Sequence, residues 1–309
     1  MNIPTYRAAA HVWTLAPVLR HMVRPISVPR GERWSLTVQP EGRGPVRLSG
    51  LLHRQADASD LVILIHGLGG GVGSAYMLSG LLQLLDAGYS VLRINLRGAD
   101  LKGGDFYHAG LTEDVHAIVE SLQSDERIWI MGYSLGGHLA LKAATEDLDP
   151  RVLGVVGICP PIDLERTQQH LDTVSWPIYR RYMLDALKKM YGAIARRDPV
   201  PTPASRMRSV QTILEWDTLT VAPRFGFDSA HDYYVKSSVA HRVEQLDRRA
   251  LVIAAEHDPF IPAGPLREII DGGGHPLLTL SWSPWGGHVG YPPNQPPEAT
   301  AIEWMAQTR

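Results

Sequence analysis

The chain has 309 residues, 44% of them apolar and 20% charged, with Lys+Arg 30 against Asp+Glu 32 and a formal net charge of −2. That composition supports a sizeable buried core and excludes disordered and fibrous chains, and the balanced charge gives no global reason to bind nucleic acid. A lone cysteine, Cys159, excludes an internal disulfide and a cysteine-based zinc site and fits a reducing compartment.

At roughly 150 residues per domain, the length suits two domains or one large α/β domain with an insertion. No apolar run approaches the ~20 residues that span a bilayer, and residues 1–24 lack a secretory signal's apolar stretch and cleavage site, so a cytoplasmic protein is expected. Arg7, Arg20, Arg24 and Arg30 all precede the first acid, Glu32. One reading is a weak membrane-surface contact through residues 1–30, that is, a peripheral membrane protein. The other is a short helix, His11–Met22, that packs Val12, Leu15, Val18 and Leu19 onto the body. Pro17 interrupts a long amphipathic face and favours the second.

Further along, Trp34–Gln39 and Val46–Leu52 alternate about a Pro/Gly turn region, which predicts a hairpin at a sheet edge. From residue 60 short β-rich runs alternate with helical ones, the pattern of a parallel sheet covered on both faces. Strands are predicted at Leu61–Ile65, Ser90–Asn95, Arg127–Met131 and Val152–Cys159. Helices are predicted from a Ser74 cap to Leu85, closed by Gly88, and at Leu111–Leu122 and Ser134–Glu146. Pro160–Val243 then lacks a convincing strand, and Trp176, Tyr179, Tyr182, Met183, Leu187 and Tyr191 follow helical spacing. Alternation resumes with a strand at Ala250–Ala255, a helix near Leu266–Ile270, a strand at Leu277–Trp282 and a closing helix, Glu298–Gln307. The predicted organisation is an N-terminal helix and edge hairpin (1–59), two halves of one core (60–159 and 246–309), and a helical cap inserted between them (160–245).

The strongest chemical signal is Gly132-Tyr133-Ser134-Leu135-Gly136-Gly137 between a strand and a helix. A serine on so sharp a turn needs small residues two positions to either side, and the turn lifts its Oγ clear of the sheet at a helix N-terminus. The Leu135 N–H then points to any oxyanion that forms beside Ser134. After the first core strand comes His66-Gly67-Leu68-Gly69-Gly70-Gly71, whose glycines allow close backbone approach and make the Leu68 N–H the second oxyanion donor. No phosphate-loop spacing competes, and His66 is read as holding this loop in place.

A serine nucleophile needs a base and an orienting acid, which on such a scaffold follow in the order Ser, Asp, His. Asp258 follows the Leu251–Ala255 run, and His288 lies on a glycine-flexible loop after the last strand. His257 competes as base, although its adjacency to Asp258 points it away; Glu256 and Asp228 are weaker acids. His275, after Gly272-Gly273-Gly274, is read as part of a surface turn, and Cys159 as a small core residue. No metal motif and no cofactor motif appears.

Taken together these stretches resemble the α/β-hydrolase fold, and more narrowly the group of bacterial YheT-like, plant Emb8-like and animal ABHD1/2/3 proteins. The match rests on His66-Gly67-Leu68, Asn95-Leu96-Arg97-Gly98, Tyr107-His108-Ala109-Gly110-Leu111-Thr112-Glu113-Asp114, the turn at Ser134, and Asp217-Thr218-Leu219-Thr220-Val221-Ala222-Pro223 with Gly226-Phe227. It continues through Asp232-Tyr233-Tyr234 with Ser237-Ser238, His257-Asp258-Pro259-Phe260-Ile261-Pro262 and Gly286-Gly287-His288-Val289-Gly290, and His11-Val12-Trp13-Thr14-Leu15 is similar to the family's opening segment. Gly69-Gly70-Gly71 departs from the family, which usually has an acid and serines there.

The resemblance implies Ser134 as nucleophile, Asp258 as orienting acid and His288 as base, in a mostly parallel sheet with helices on both faces and a helical cap. Thr220, Pro223, Tyr233, Tyr234 and Ser237 either line an acyl pocket or brace the cap, and bracing suits their spacing better. Arg97, Tyr107 and His108 are read as loop anchors, with substrate contact as the alternative. The expected function is hydrolysis of a small-molecule carboxylic ester with an apolar or lipid-like acyl group, without metal or cofactor. Acyl transfer to an alcohol on the same residues is the alternative, and a silent protein that holds an apolar ligand is a more distant one.

Overall fold

The computed structural model describes residues 3–308. The chain opens with helix α1 (Ile3–Val23), then the strands β1 (Glu32–Val38) and β2 (Val46–His53). The core follows as β3 (Asp60–Ile65), α2 (Ala75–Asp86), β4 (Ser90–Asn95), α3 (Glu113–Glu120), β5 (Arg127–Tyr133), α4 (Leu135–Ala143) and β6 (Val152–Ile158). Between β6 and the next strand lie only helices: α5 (Leu164–Thr173), α6 (Pro177–Ile194), α7 (Ala204–Met207), α8 (Ile213–Leu219), α9 (Val221–Phe225), α10 (Ala230–Ser237) and a 3-10 turn at Val243–Gln245. The chain ends with β7 (Arg249–Ala255), α11 (Gly264–Asp271), β8 (Leu278–Ser283) and α12 (Pro297–Gln307).

All strands join one 8-stranded sheet in the order β1-β2-β4-β3-β5-β6-β7-β8. β2 runs antiparallel to both neighbours, and every pairing from β4 through β8 is parallel. The hairpin expected at the sheet edge is therefore present.

Strand β3 shows why the sequence folds this way. Leu61, Ile63 and Ile65 enter the apolar cluster on one face, whereas Val62 and Leu64 enter the cluster on the other. With side chains alternating in direction, an uninterrupted apolar run is what a strand covered on both faces requires. Ile63 is fully buried, and truncating it to alanine would cost about 2–5 kcal/mol. The parallel strands all present their carboxyl ends, with the loops that follow them, on one edge of the sheet, and that edge holds the candidate site.

Two local expectations differ from the structure. Ser74 sits at the N-cap position of α2, but its Oγ accepts from Gly71 N–H at 3.1 Å instead of capping the helix. The helix predicted at His11–Met22 is longer and runs through Pro17, and Val12 (61%), Leu15 (39%), Val18 (42%) and Leu19 (57%) are exposed rather than packed on the body. The helix docks through Ala10, Trp13 and Thr14 instead: a Cβ at Gly287 would meet Ala10 O at 2.1 Å, and one at Gly290 would meet Trp13 O at 2.1 Å. Backbone meets backbone here, so the contact leaves no apolar stripe in the sequence.

Candidate active site

Ser134 is the residue between β5 and α4, with φ 52° and ψ −119°. A non-glycine residue is rarely held with positive φ, and such strain persists only where the surroundings enforce it. Enforcement comes from Ser134 N–H donating to Ile158 O at 2.8 Å and from contact across the turn: a Cβ on Gly132 would lie 2.1 Å from the Gly136 carbonyl carbon. Side chains at those two positions would break the turn.

The structure brings Ser134, His288 and Asp258 into one hydrogen-bonded line. His288 Nε2 lies 2.9 Å from Ser134 Oγ, and His288 Nδ1 lies 2.9 Å from Asp258 Oδ2. A carboxylate can only accept, so Nδ1 carries the proton and Nε2 is free to accept the serine proton. The other Asp258 oxygen, Oδ1, accepts from Phe260 N–H at 2.8 Å and Ile261 N–H at 3.1 Å, which fixes the carboxylate. Phe260 stacks on the His288 ring, with centroids 4.2 Å apart and an interplanar angle of 16°.

The glycine-rich loop after β3 is pinned at almost every amide. Gly67 N–H donates to Tyr76 Oη, Gly69 N–H to Tyr107 Oη, Gly70 N–H to Gly67 O and Gly71 N–H to Ser74 Oγ. Leu68 N–H alone in that run has no partner among the described residues, and neither has Leu135 N–H at the start of α4. Leu68, Leu135 and Ser134 line one cavity. His66 is fully buried beneath the loop. Its Nε2 accepts from Leu96 N–H at 3.0 Å, so Nδ1–H donates to Gly67 O at 2.8 Å, and burial pushes its pKa down to about 4.

The other candidates lie elsewhere. His257 borders a groove on the outer side of Asp258 and faces the Tyr6 ring, with centroids 5.9 Å apart. Glu256 is held by Arg267 and by Trp282 Nε1–H, and Asp228 lies before α10, where its N–H donates to Asp232. Cys159, Asp258 and His288 bring potential ligand atoms within 4.8 Å of one another. Burial pushes the Cys159 thiol well up, so it stays protonated, and its Sγ–H points to Gly287 O at 3.7 Å.

Among the residues of the 217–238 block, Tyr233 and Tyr234 line the cavity, whereas Thr220 and Ser237 are buried outside its lining. Bracing is present as well, since Tyr233 Oη accepts from Ala109 N–H at 2.9 Å and Tyr234 O–H donates to Asp217 at 2.7 Å. Arg97 is buried between Asp114 and Asp105, and Asp105 also binds Arg224 of α9, so Arg97 anchors the loop to the helical insertion. Tyr107 and His108 line the cavity. Two contributors were not visible in the sequence: Phe260 as the ring on the imidazole, and Thr14, whose Oγ1 accepts from His288 N–H.

A model of the alpha/beta hydrolase family matches residues 62–298. The chain belongs to that family. This family member is similar to a putative esterase, YheT, of Escherichia coli (strain K12), with 29% identity over 249 residues, covering 77% of this chain and 72% of the relative. It is also similar to a monoacylglycerol lipase of Saccharomyces cerevisiae (strain ATCC 204508 / S288c), with 23% identity over 253 residues, covering 76% of this chain and 55% of the lipase. The chain thus spans just over half the length of that second relative. In fold it resembles the Pyrococcus furiosus esterase Pf2001, with a TM-score of 0.56 at 16% identity, covering 90% of this chain and 93% of that one. Helix α1 and the hairpin β1–β2 lie outside the region matched by the family model.

Proposed function

We propose that the protein is a serine hydrolase of carboxylic esters with apolar acyl groups. The observation that carries this reading is the line from Ser134 Oγ through His288 to the Asp258 carboxylate, with both links at 2.9 Å. His288 takes the Ser134 proton as Oγ attacks the ester carbonyl. Asp258 keeps the imidazole in the Nδ1–H tautomer and stabilises the imidazolium. The Leu68 and Leu135 amides receive the oxyanion, each such donor typically contributing about 3 kcal/mol. The imidazolium then protonates the departing alcohol, and a water activated by the same histidine cleaves the acyl-enzyme.

The names of the relatives, a putative esterase and a monoacylglycerol lipase, support the substrate class. So does the cavity, whose walls include Leu164, Leu171, Met183, Leu187, Ile213 and Trp216. These apolar walls also favour a second reading, transfer of the acyl group to an alcohol in place of water; the product partition between water and added short alcohols separates the two. Contact with an anionic lipid surface fits the same substrate class, because α1 exposes an apolar face and contains no acid. No helix among the described residues is long and apolar enough to cross a membrane.

Ser134→Ala is expected to abolish turnover of p-nitrophenyl esters, and labelling by a fluorophosphonate, in a protein that still folds. Full activity in that variant, or no labelling of the wild type, would defeat the reading and leave a protein that only holds its ligand.

A further inference from the structure

One residue does not suit a cavity made to hold an alkyl chain. Asp217, on α8, is 8% exposed and lines the same cavity as Ser134. Its Oδ2 accepts from Tyr234 O–H at 2.7 Å. Its Oδ1 has no hydrogen-bond partner among the described residues and is not a sealed atom, so it stays accessible. Gln168, on α5, lines the cavity as well and is equally buried; its Nε2 donates to Asp172 at 2.5 Å, which leaves its Oε1 unpartnered.

Bracing by Tyr234 accounts for one Asp217 oxygen and leaves the other unexplained. An apolar acyl chain that fills the cavity cuts these accessible oxygens off from water and donates nothing in return, which costs binding energy. Two accessible acceptors in a largely apolar cavity fit a ligand that brings its own donor. Resting on the hydrolase reading above, we propose that Asp217 and Gln168 form a subsite that selects acyl groups bearing a hydroxyl along the chain, with Asp217 as the specificity-determining residue.

A neutral donor suits the site better than a cation. Burial pushes the Asp217 carboxyl up to about 7, against the Tyr234 hydrogen bond, and the Asp172 charge adds to the rise, so the accepting carboxylate is the form present above that pH, where the preference is measured. The same apolar walls would make an ammonium group expensive to desolvate.

The test uses the full chain with p-nitrophenyl octanoate and its monohydroxylated isomers. The wild type is expected to favour at least one isomer over the parent ester by about tenfold in kcat/KM, the size of one well-made buried hydrogen bond. Asp217→Asn still offers Tyr234 an oxygen but turns an N–H into the cavity, and it should bring that ratio close to one. Tyr234→Phe removes the brace, keeps the acceptor and should retain the preference, which a purely structural role for Asp217 would not allow. A wild-type ratio at or below one for every isomer, or an unchanged ratio in Asp217→Asn, overturns the subsite. The same preference is read as binding of methyl octanoate and its hydroxylated isomers to the Ser134→Ala protein. A chain that turns over no ester then defeats the hydrolase reading, while the subsite stands or falls on its own binding ratio.

Discussion

Thr14 Oγ1 accepts a hydrogen bond from His288 N–H at 2.8 Å, joining two residues 274 positions apart. The same hydroxyl donates to Ala10 O at 2.8 Å within α1, so its direction is fixed. The backbone of the candidate base is thus held by a helix that lies outside the region matched by the hydrolase family model.

Thr14→Val removes this acceptor without changing the size of the side chain. The expected outcome is a fall of about tenfold in kcat with little change in KM, corresponding to about 1.4 kcal/mol at the barrier. Thr14→Ser should restore most of the rate. Steady-state kinetics on a soluble p-nitrophenyl ester check this, and equal rates for the threonine and valine proteins would make the bond incidental.

Asp258→Asn leaves the shape of the site intact but disturbs the tautomer that His288 needs. A loss of about 10⁴-fold in kcat is expected. His257→Ala, next to it in sequence, should stay within about twofold of the wild type, because His257 faces Tyr6 and not Ser134. Measuring both variants on one ester decides between the two histidines as base, and a large loss in His257→Ala alone would reverse the assignment.

Two buried histidines should cost the fold stability as soon as pH falls below about 6.5. Burial holds His66 down to about 4. Burial, joined by the charges of Arg97, Lys142 and Arg43, holds His108 down to about 3. In the unfolded chain both take up a proton near pH 6.5, so unfolding binds protons that the native state refuses. Stability is therefore lost as pH falls from about 6.5, each group contributing a slope of about 1.4 kcal/mol per pH unit until its folded pKa is reached. His108→Gln should lower the slope of unfolding free energy against pH by close to one proton between pH 6 and 4. Urea titrations at several pH values measure it, and identical slopes would show that His108 is already charged in the native protein.

Helix α1 exposes Leu19 at 57% and Met22 at 74%, with Arg20 and Arg24 beside them. The protein is expected to co-sediment with vesicles containing anionic lipid and to be released by high salt. Leu19→Glu combined with Met22→Glu should abolish sedimentation. If the wild type fails to sediment with such vesicles, that face has another role.

The sheet was legible because its central strands are buried on both faces, so Leu61–Ile65 and Val152–Ile158 stand out as unbroken apolar runs between turn residues. The turn at Ser134 was legible for a steric reason, since few sequences tolerate its backbone. Helix α1 was misjudged because its docking face is made of Ala10, Thr14 and peptide groups set against Gly287 and Gly290. The apolar residues that gave the helix its periodicity point the other way. Asp217 could be named as part of a motif, but one oxygen turned to Tyr234 and the other left open is a fact of packing that spacing does not encode.

The backbone at Ser134 has a further consequence. A residue with φ 52° and ψ −119° is disfavoured in every copy of the molecule, occupied or empty, and glycine would relieve that tension by about 1 kcal/mol or more. Screening variants for heat resistance alone would therefore favour glycine at this position and steer toward discarding the candidate nucleophile.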